Sequence, residues 1–536
     1  MSRSTRLLGV FAASALLATG LSTTAHADVS EQDTSTPLLA SAVTDTPAST
    51  TQNGITAALT PTSVAGAGLT YTFNASSSTD SNSGATITSY SFAYGDGDTT
   101  TDNTSGVVTH TYTTPGTYTV SVTVTDSAGN TATTSTSVTT VGNDYTPDGP
   151  IRFLDTRSGL GAPEAKVANG DTIAVQITGV DGVPSDATAV VFNLITVDTV
   201  DSGSVTAYAD GTTKPGVSDN YFSASETVDD LITAPIGTDG EVDLTVNGDT
   251  GASTDLVADL QGYYSPTDAD GYVPIQPGRI LDTRSTLGGE KGLVDDGKTI
   301  AVTIEGATAI NETNSLAGNT TVTLPSSGIT AVAATITVTE ATDLGVVTAY
   351  ADGSTEPSSN NINYTTGNTI ADAAIIPVGS DGKIDLTVGG STGTSTDLIL
   401  DVTGYYVAGN SATGASAYVP LSAATDTAPF RVWDTRQHTD GAIAAAGYLH
   451  VPGTAATGVS AYALNVTAVS PQDAGDLSVY PDATSDNETS NLNFGAGAIY
   501  ADFAQATSSS TGVDIGNNSS GDVQIVVDEF GYFTTD

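Results

Sequence analysis

The sequence contains no cysteine, one methionine and one tryptophan in 536 residues. Without thiols there is neither a disulfide framework nor a Cys-ligated zinc site. Positive charge is nearly as scarce: 13 Lys and Arg stand against 60 Asp and Glu, a formal net charge of −47. Such a chain repels polyphosphate and anionic lipid, which argues against nucleic-acid and membrane partners. Only 14% of residues are charged at all, so the polar surface is Thr, Ser, Asn and Gly rather than that of a charge-swollen disordered chain. Helical periodicity is almost absent, and past the N-terminus no run is apolar enough to cross a bilayer. There is no His-Glu-x-x-His helix and no Gly-x-Ser-x-Gly elbow, and paired carboxylates for glycoside hydrolysis are invisible among so many acids.

What is present begins with an address. Arg3 and Arg6 precede an apolar run from Leu7 to Leu21, and Ala25-His26-Ala27 is a small-x-small cleavage site. Residues 1–27 are therefore expected to be a secretory signal and 28–50 a flexible Ser/Thr/Pro leader, placing the rest outside the cell or held non-covalently on its wall. Residues 51–142 read as β throughout: Tyr118, Val120, Val122 and Val124 alternate with Thr and Ser after Pro115-Gly116, and Asp126 to Asn130 is a turn. The run Tyr90-Ser91-Phe92-Ala93-Tyr94-Gly95-Asp96-Gly97-Asp98, with His110-Thr111-Tyr112 and Pro115-Gly116-Thr117-Tyr118, resembles the PKD domain. That resemblance implies an immunoglobulin-like sandwich serving as a spacer or adhesive module.

The remainder is a threefold repeat, expected at 143–264, 271–407 and 416–534. Arg152-Phe153-Leu154-Asp155-Thr156-Arg157 recurs at Arg279 to Arg284 and at Arg431 to Arg436. A Tyr-x-Pro introduces each copy (Tyr145, Tyr272, Tyr418), and each closes on Gly262-Tyr263-Tyr264, Gly404-Tyr405-Tyr406 or Gly531-Tyr532-Phe533. The second copy carries an insertion around Asn311 to Leu324, read as a long loop. The repeat resembles uncharacterised modules of secreted actinobacterial proteins. The predicted fold is all-β: an Ig-like sandwich, then three tandem β-sandwiches of jelly-roll or Ig-like topology, strung as beads on the linkers Ser265 to Gly271 and Ala408 to Ala417.

Two of the 13 basic residues fall in the signal, and six of the other 11 are the paired arginines of the repeated motif: Arg152, Arg157, Arg279, Arg284, Arg431 and Arg436. In an extended strand Asp155 and Arg157 would share a face about 7 Å apart, as would Asp282 with Arg284 and Asp434 with Arg436. One reading is structural: each Arg pairs with its motif Asp or with Asp259, Asp401 or Asp528 and pins the first strand to the last. The other is a pocket for a sugar or a peptide carboxylate. Tyr208, Tyr350 and Tyr480 recur beside Asp210, Asp352 and Asp482, and Trp433 replaces Leu in the third motif; these are the candidate stacking platforms for a pyranose. Asp96, Asp98 and Asp102 in the Gly-rich loop are candidate calcium ligands, and no other cofactor is implied. His438 and His450 occur only in the third copy, which excludes a repeated His-based active site. The expected function is non-catalytic extracellular adhesion or binding, with polysaccharide or a cell-surface protein as partner. The alternatives are a targeting arm of a polysaccharide-degrading system, a hydrolase using paired carboxylates, and a purely structural spacer.

Overall fold

Alternation of apolar and polar residues, as in Thr172–Gln176 and Thr299–Thr303, is what a sheet with one wet face requires, and these segments are strands of that kind. The computed structural model describes residues 47–535 apart from 65–66, 113–115, 141, 238, 267–269, 290, 312–319, 409–413, 422–427, 439–440, 454–458, 483, 485–488 and 510. The expected signal and most of the leader lie outside the described residues.

Residues 48–140 form two antiparallel sheets. One contains Ala48–Gln52, Ile55–Val64, Ala67–Asn74 and Val107–Thr111; the other contains Thr99–Asn103, Ile87–Ala93, Gly116–Asp126 and Thr131–Thr140. Their shared core holds Leu59, Phe73, Phe92, Tyr94, Val122 and Val138.

In chain order, the eight main strands of the first copy are Asp144–Asp155, Thr172–Gln176, Ala189–Val200, Gly203–Ala209, Asn220–Phe222, Val228–Pro235, Glu241–Gly248 and Ser253–Ser265. They pair 1-8-3-6 in one sheet and 2-7-4-5 in the other, all antiparallel. That order is a jelly roll, which decides the topology the sequence left open. The other two copies repeat both sheets. The insertion in the second copy is more than a loop: Thr308–Asn311 and Thr320–Thr323 pair as a hairpin beside Arg279.

The copies are not beads on a string. Their 1-8-3-6 sheets are buried on both faces. In Ala189 to Leu194, Val190, Phe192 and Leu194 fill the sandwich, while Ala189 and Val191 face a second core shared with Ala331, Ala333, Ala461 and Ala463 of the other copies. Small residues on that face let three sheets approach a common axis. The contacts run cyclically: Tyr145 pairs with Asp270, Tyr272 with Ser416, and Asn143 bridges Tyr418. Around the axis Tyr145, Tyr264, Tyr418, Phe533, Tyr272 and Tyr406 close a ring of six, with neighbouring centroids 4.4–5.1 Å apart. Each such pair contributes about 0.5–1.5 kcal/mol beyond its area.

This ring explains two repeated motifs. The Tyr-x-Pro tyrosines lie across the closing glycines and donate to the carbonyls of Gln261, Thr403 and Phe530. A Cβ on Gly262, Gly404 or Gly531 would sit 2.3 Å from the tyrosine hydroxyl oxygen. Tyr264 and Tyr406 bond hydroxyl to hydroxyl at 2.7 Å. Phe533 brings no third hydroxyl, and Gln505 Nε2 donates to both instead, at 3.3 and 2.8 Å.

Candidate binding surface at the copy interfaces

The repeated Arg-x-x-Asp-Thr-Arg motif closes the first strand of each jelly roll. Arg152 lies opposite Asp259 in register, and its Nε and Nη2 donate to the two carboxylate oxygens, both at 2.9 Å. Arg279 with Asp401 and Arg431 with Asp528 repeat this fork at 2.8–3.1 Å. Burial pushes all three carboxylates above their usual range, and the guanidinium pulls the other way. Just past this pair each strand carries a register shift, so Phe153 and Leu154 both reach the core where strict alternation would expose one.

The second arginine is not on an extended strand. The strand ends at Asp155 and the chain turns, so that Arg157 folds back on the carboxylate two residues before it. The backbone N–H, Nε and Nη2 of Arg157 all donate to Asp155, at 3.0, 2.9 and 2.8 Å. Arg284 holds Asp282 and Arg436 holds Asp434 in the same way. The Arg157 and Arg436 forks hold Asp155 and Asp434 below the usual range; at Asp282 burial pushes up, and Arg284 outweighs it. The intervening Thr156 accepts from the Leu256 N–H and donates to Asp255, tying the turn to the last strand. The three outer arginines keep 43%, 43% and 44% of their side chains exposed. Each is thus a rigid guanidinium open to solvent.

These motifs sit against the neighbouring copy. Asn193 donates to the carbonyls of Asn360 and Asn361, Asn465 to those of Ser218 and Asp219, and the Ser490 N–H reaches Asp401. Asp229 takes both the backbone and the amide N–H of Asn363. Thr335 stands where the other copies have Asn193 and Asn465, and there a cavity of about 10 Å³ opens against Asn491, room for about one water. Between the first and second copies lies a cleft of about 430 Å³, lined by Arg152, Arg157, Glu356, Ser358, Asn360 and Asn363 over an aliphatic floor that includes Val346. The loop side of this cleft was missed from sequence. The Asn360 to Asn363 run is a signal only once one copy is known to face the next.

The candidate stacking tyrosines are elsewhere. Tyr208, Tyr350 and Tyr480 are buried in the 2-7-4-5 sheets, and the first two share hydrogen bonds with Thr245 and Thr387. They offer no open ring face to a sugar. Their neighbours do reach the surface: Asp210 clusters with Asp239 and Glu241, Asp352 lies 4.0 Å from Lys383, and Asp482 lies 3.6 Å from His450. Trp433 is half-buried, packed on the third core and stacked on His438 at 3.9 Å. Of the candidate calcium ligands, Asp96 and Asp98 converge with His110; the side chain of Asp102 lies outside the described residues. His110 Nε2 is 2.7 Å from Asp96, and its ring stacks on Tyr94 at 3.8 Å.

Residues 55–141 match the PKD-domain family. They form a PKD domain. The PKD1 domain of the Vibrio cholerae metalloprotease PrtV is 28% identical over 16% of this chain and 93% of that one, with a TM-score of 0.14. A structure of carbohydrate-binding modules from the β-sandwich superfamily matches at 17% identity, covering 40% of this chain and 98% of that one, TM-score 0.16. The tandem CBM22 domains of Paenibacillus barcinonensis Xyn10C match at 10% identity over 49% and 98%, TM-score 0.16. No curated protein matches the chain.

Proposed function

We propose that this is a non-catalytic, extracellular binding protein in which the PKD domain acts as a spacer and three jelly rolls, the copies at 143–264, 271–407 and 416–534, grip a cell-surface polymer, most simply a carbohydrate. The observation that carries this reading is the threefold display of Arg157, Arg284 and Arg436, each oriented by its own aspartate and open to solvent. The aspartate of each pair is buried while its guanidinium stays open, so holding the turn still leaves outward N–H groups free for a ligand. A forked guanidinium beside a polar cleft suits carboxylate or hydroxyl groups on a sugar chain. Three weak sites on one body gain by avidity.

The test is depletion of the 28–536 chain from solution by insoluble polysaccharides and bacterial cell walls. Retention without turnover of the retained polymer is expected. Arg157→Gln should weaken retention a few-fold, and the triple variant with Arg284→Gln and Arg436→Gln should weaken it by more than tenfold. Each Gln leaves a buried aspartate short of donors, so thermal melting is run beside the assay and retention is compared at a temperature where every variant is folded. A triple variant retained as well as wild type, or a wild type that no polymer retains, refutes the reading.

A further inference from the structure

The sixth strands of the three jelly rolls, Val228–Pro235, Ile370–Pro377 and Ile499–Thr507, are the sheet edges that meet at the axis, each in contact with the other two. Each carries an aspartate at the same place, followed by apolar residues: Asp230-Leu231-Ile232, Asp372-Ala373-Ala374 and Asp502-Phe503-Ala504. Asp230, Asp372 and Asp502 are 1%, 2% and 3% exposed. They turn toward one another, and one carboxylate oxygen from each lies within 4.8 Å of the other two.

The three are poorly satisfied by the protein. The Ala373 N–H donates to Asp502 Oδ1 at 3.2 Å, and the N–H groups of Phe503 and Leu231 lie beside Asp230 and Asp372. Among the described residues, both oxygens of Asp230, both of Asp372 and Oδ2 of Asp502 have no hydrogen-bond partner of good geometry. The charged groups acting on Asp230 are Asp502, Asp219 and Asp229; those on Asp372 are Asp502, Asp229 and Asp230. All have the same sign. Buried carboxylates this short of donors, with no cation beside them among the described residues, are costly to hold, and here three of them meet at one point.

We propose that Asp230, Asp372 and Asp502 form a calcium site on the pseudo-threefold axis, clamping the three jelly rolls together. Three oxygens no more than 4.8 Å apart share a point at most about 2.8 Å from each, close to calcium's 2.3–2.6 Å. Three carboxylates supply up to six oxygens, the lower end of calcium's coordination range, and no soft ligand. Magnesium wants about 2.0–2.1 Å and retained waters, which an apolar, buried site serves badly. The three inward N–H groups face the negative charge that a divalent ion leaves over. Because every ligand comes from a different copy, the ion binds only the assembled body, and binding free energy becomes stability of that assembly.

The experiment uses the full 28–536 chain, purified and dialysed against chelator. Calcium content by elemental analysis and thermal midpoint with and without calcium chloride are read on wild type, on Asp372→Asn and on the PKD variant Asp96→Asn/Asp98→Asn. The expected result is calcium binding at the axis with a midpoint rise of at least 5 °C in wild type. The PKD variant should keep that rise. Asp372→Asn should lose it, and without calcium should melt above apo wild type because one of three buried, mutually repelling carboxyl groups is gone. Should Asp372→Asn fail to fold, Asp230→Asn replaces it. A wild type that holds no calcium and melts at the same temperature with and without it overturns the proposal. So does a triad variant that responds as wild type does.

Discussion

The first jelly roll and the other two solve one buried position with different chemistry. In the second copy Asn361 Oδ1 accepts the Ala349 N–H at 2.7 Å, and in the third Asn491 accepts that of Val479 at 2.8 Å. In the first, Asp219 accepts the Ala207 N–H at 2.7 Å. The backbone asks for an acceptor there, and an amide provides one without charge. A carboxylate 3% exposed accepts that N–H too, but burial pushes its pKa up to about 8 against the pull of the Ala207 N–H, and Asp528, itself held by Arg431, repels it further. The folded pKa lies above the unfolded one, so the stabilisation is complete below about pH 4 and is lost as pH rises toward 8. Asp219→Asn should therefore leave stability unchanged near pH 4 and raise it by about 4 kcal/mol at pH 7. Denaturant unfolding at the two pH values checks this, and a variant whose pH profile parallels that of wild type would show that Asp219 ionises freely in the fold.

The inner motif pairs give a second contrast between copies. Arg279 exposes 10% of its side chain, against 26% for Arg152 and 30% for Arg431. The cause is the inserted hairpin: Ala309 packs on Gly278, Ile310 pairs with Arg279, and Asn311 donates to the Pro277 carbonyl. Removing one member of a buried pair strands the other, at about 3–5 kcal/mol. Arg279→Ala should cost about 3 kcal/mol or more, and Arg152→Ala and Arg431→Ala measurably less because water can reach the orphaned carboxylate. Equal losses in thermal midpoint for all three would mean that the hairpin does not desolvate this pair.

How much of this could be read from the chain follows from which faces are wet. Ile173, Val175 and Ile177 alternate because one side of their sheet is solvent, and that pattern makes the outer sheet legible. Ala189 to Leu194 lost its alternation because both faces are buried, and nothing local says that the second face meets residues more than a hundred positions away. The tyrosines at 145, 272 and 418 were visible as a motif, but their role in covering a glycine exists only in the folded sheet. Tyr208 beside Asp210 suggested a stacking platform; strand periodicity puts the two on one face without saying that Tyr208 lies under Thr245. Asp230, Asp372 and Asp502 become conspicuous only when the copies are overlaid, as charges in strands that need none.

The smallest expected effect tests the copies where they reach solvent. Beside Tyr350 the second copy sets Lys383 2.7 Å from Asp381 and 4.0 Å from Asp352; the third sets His450 3.1 Å from Asp514 and 3.6 Å from Asp482. The first has Glu241 where Lys383 stands, in a group with Asp210 and Asp239, and the adjoining Asp243 is pushed up to about 6 by burial and then by Asp210. A raised acid pKa means stability lost as pH climbs from about 4 to 6, so a cation at this point recovers it only over that range and above. Glu241→Lys should stabilise the protein by about 0.5–1 kcal/mol at pH 7.5, by almost nothing at pH 4, and by less in 1 M salt, as exposed charges are screened. The midpoint difference between variant and wild type, taken at those two pH values and two salt concentrations, decides it. A gain as large at pH 4 as at pH 7.5 would trace the effect to strand propensity or packing of the lysine stem, and the charge contrast between the copies would then carry no energy.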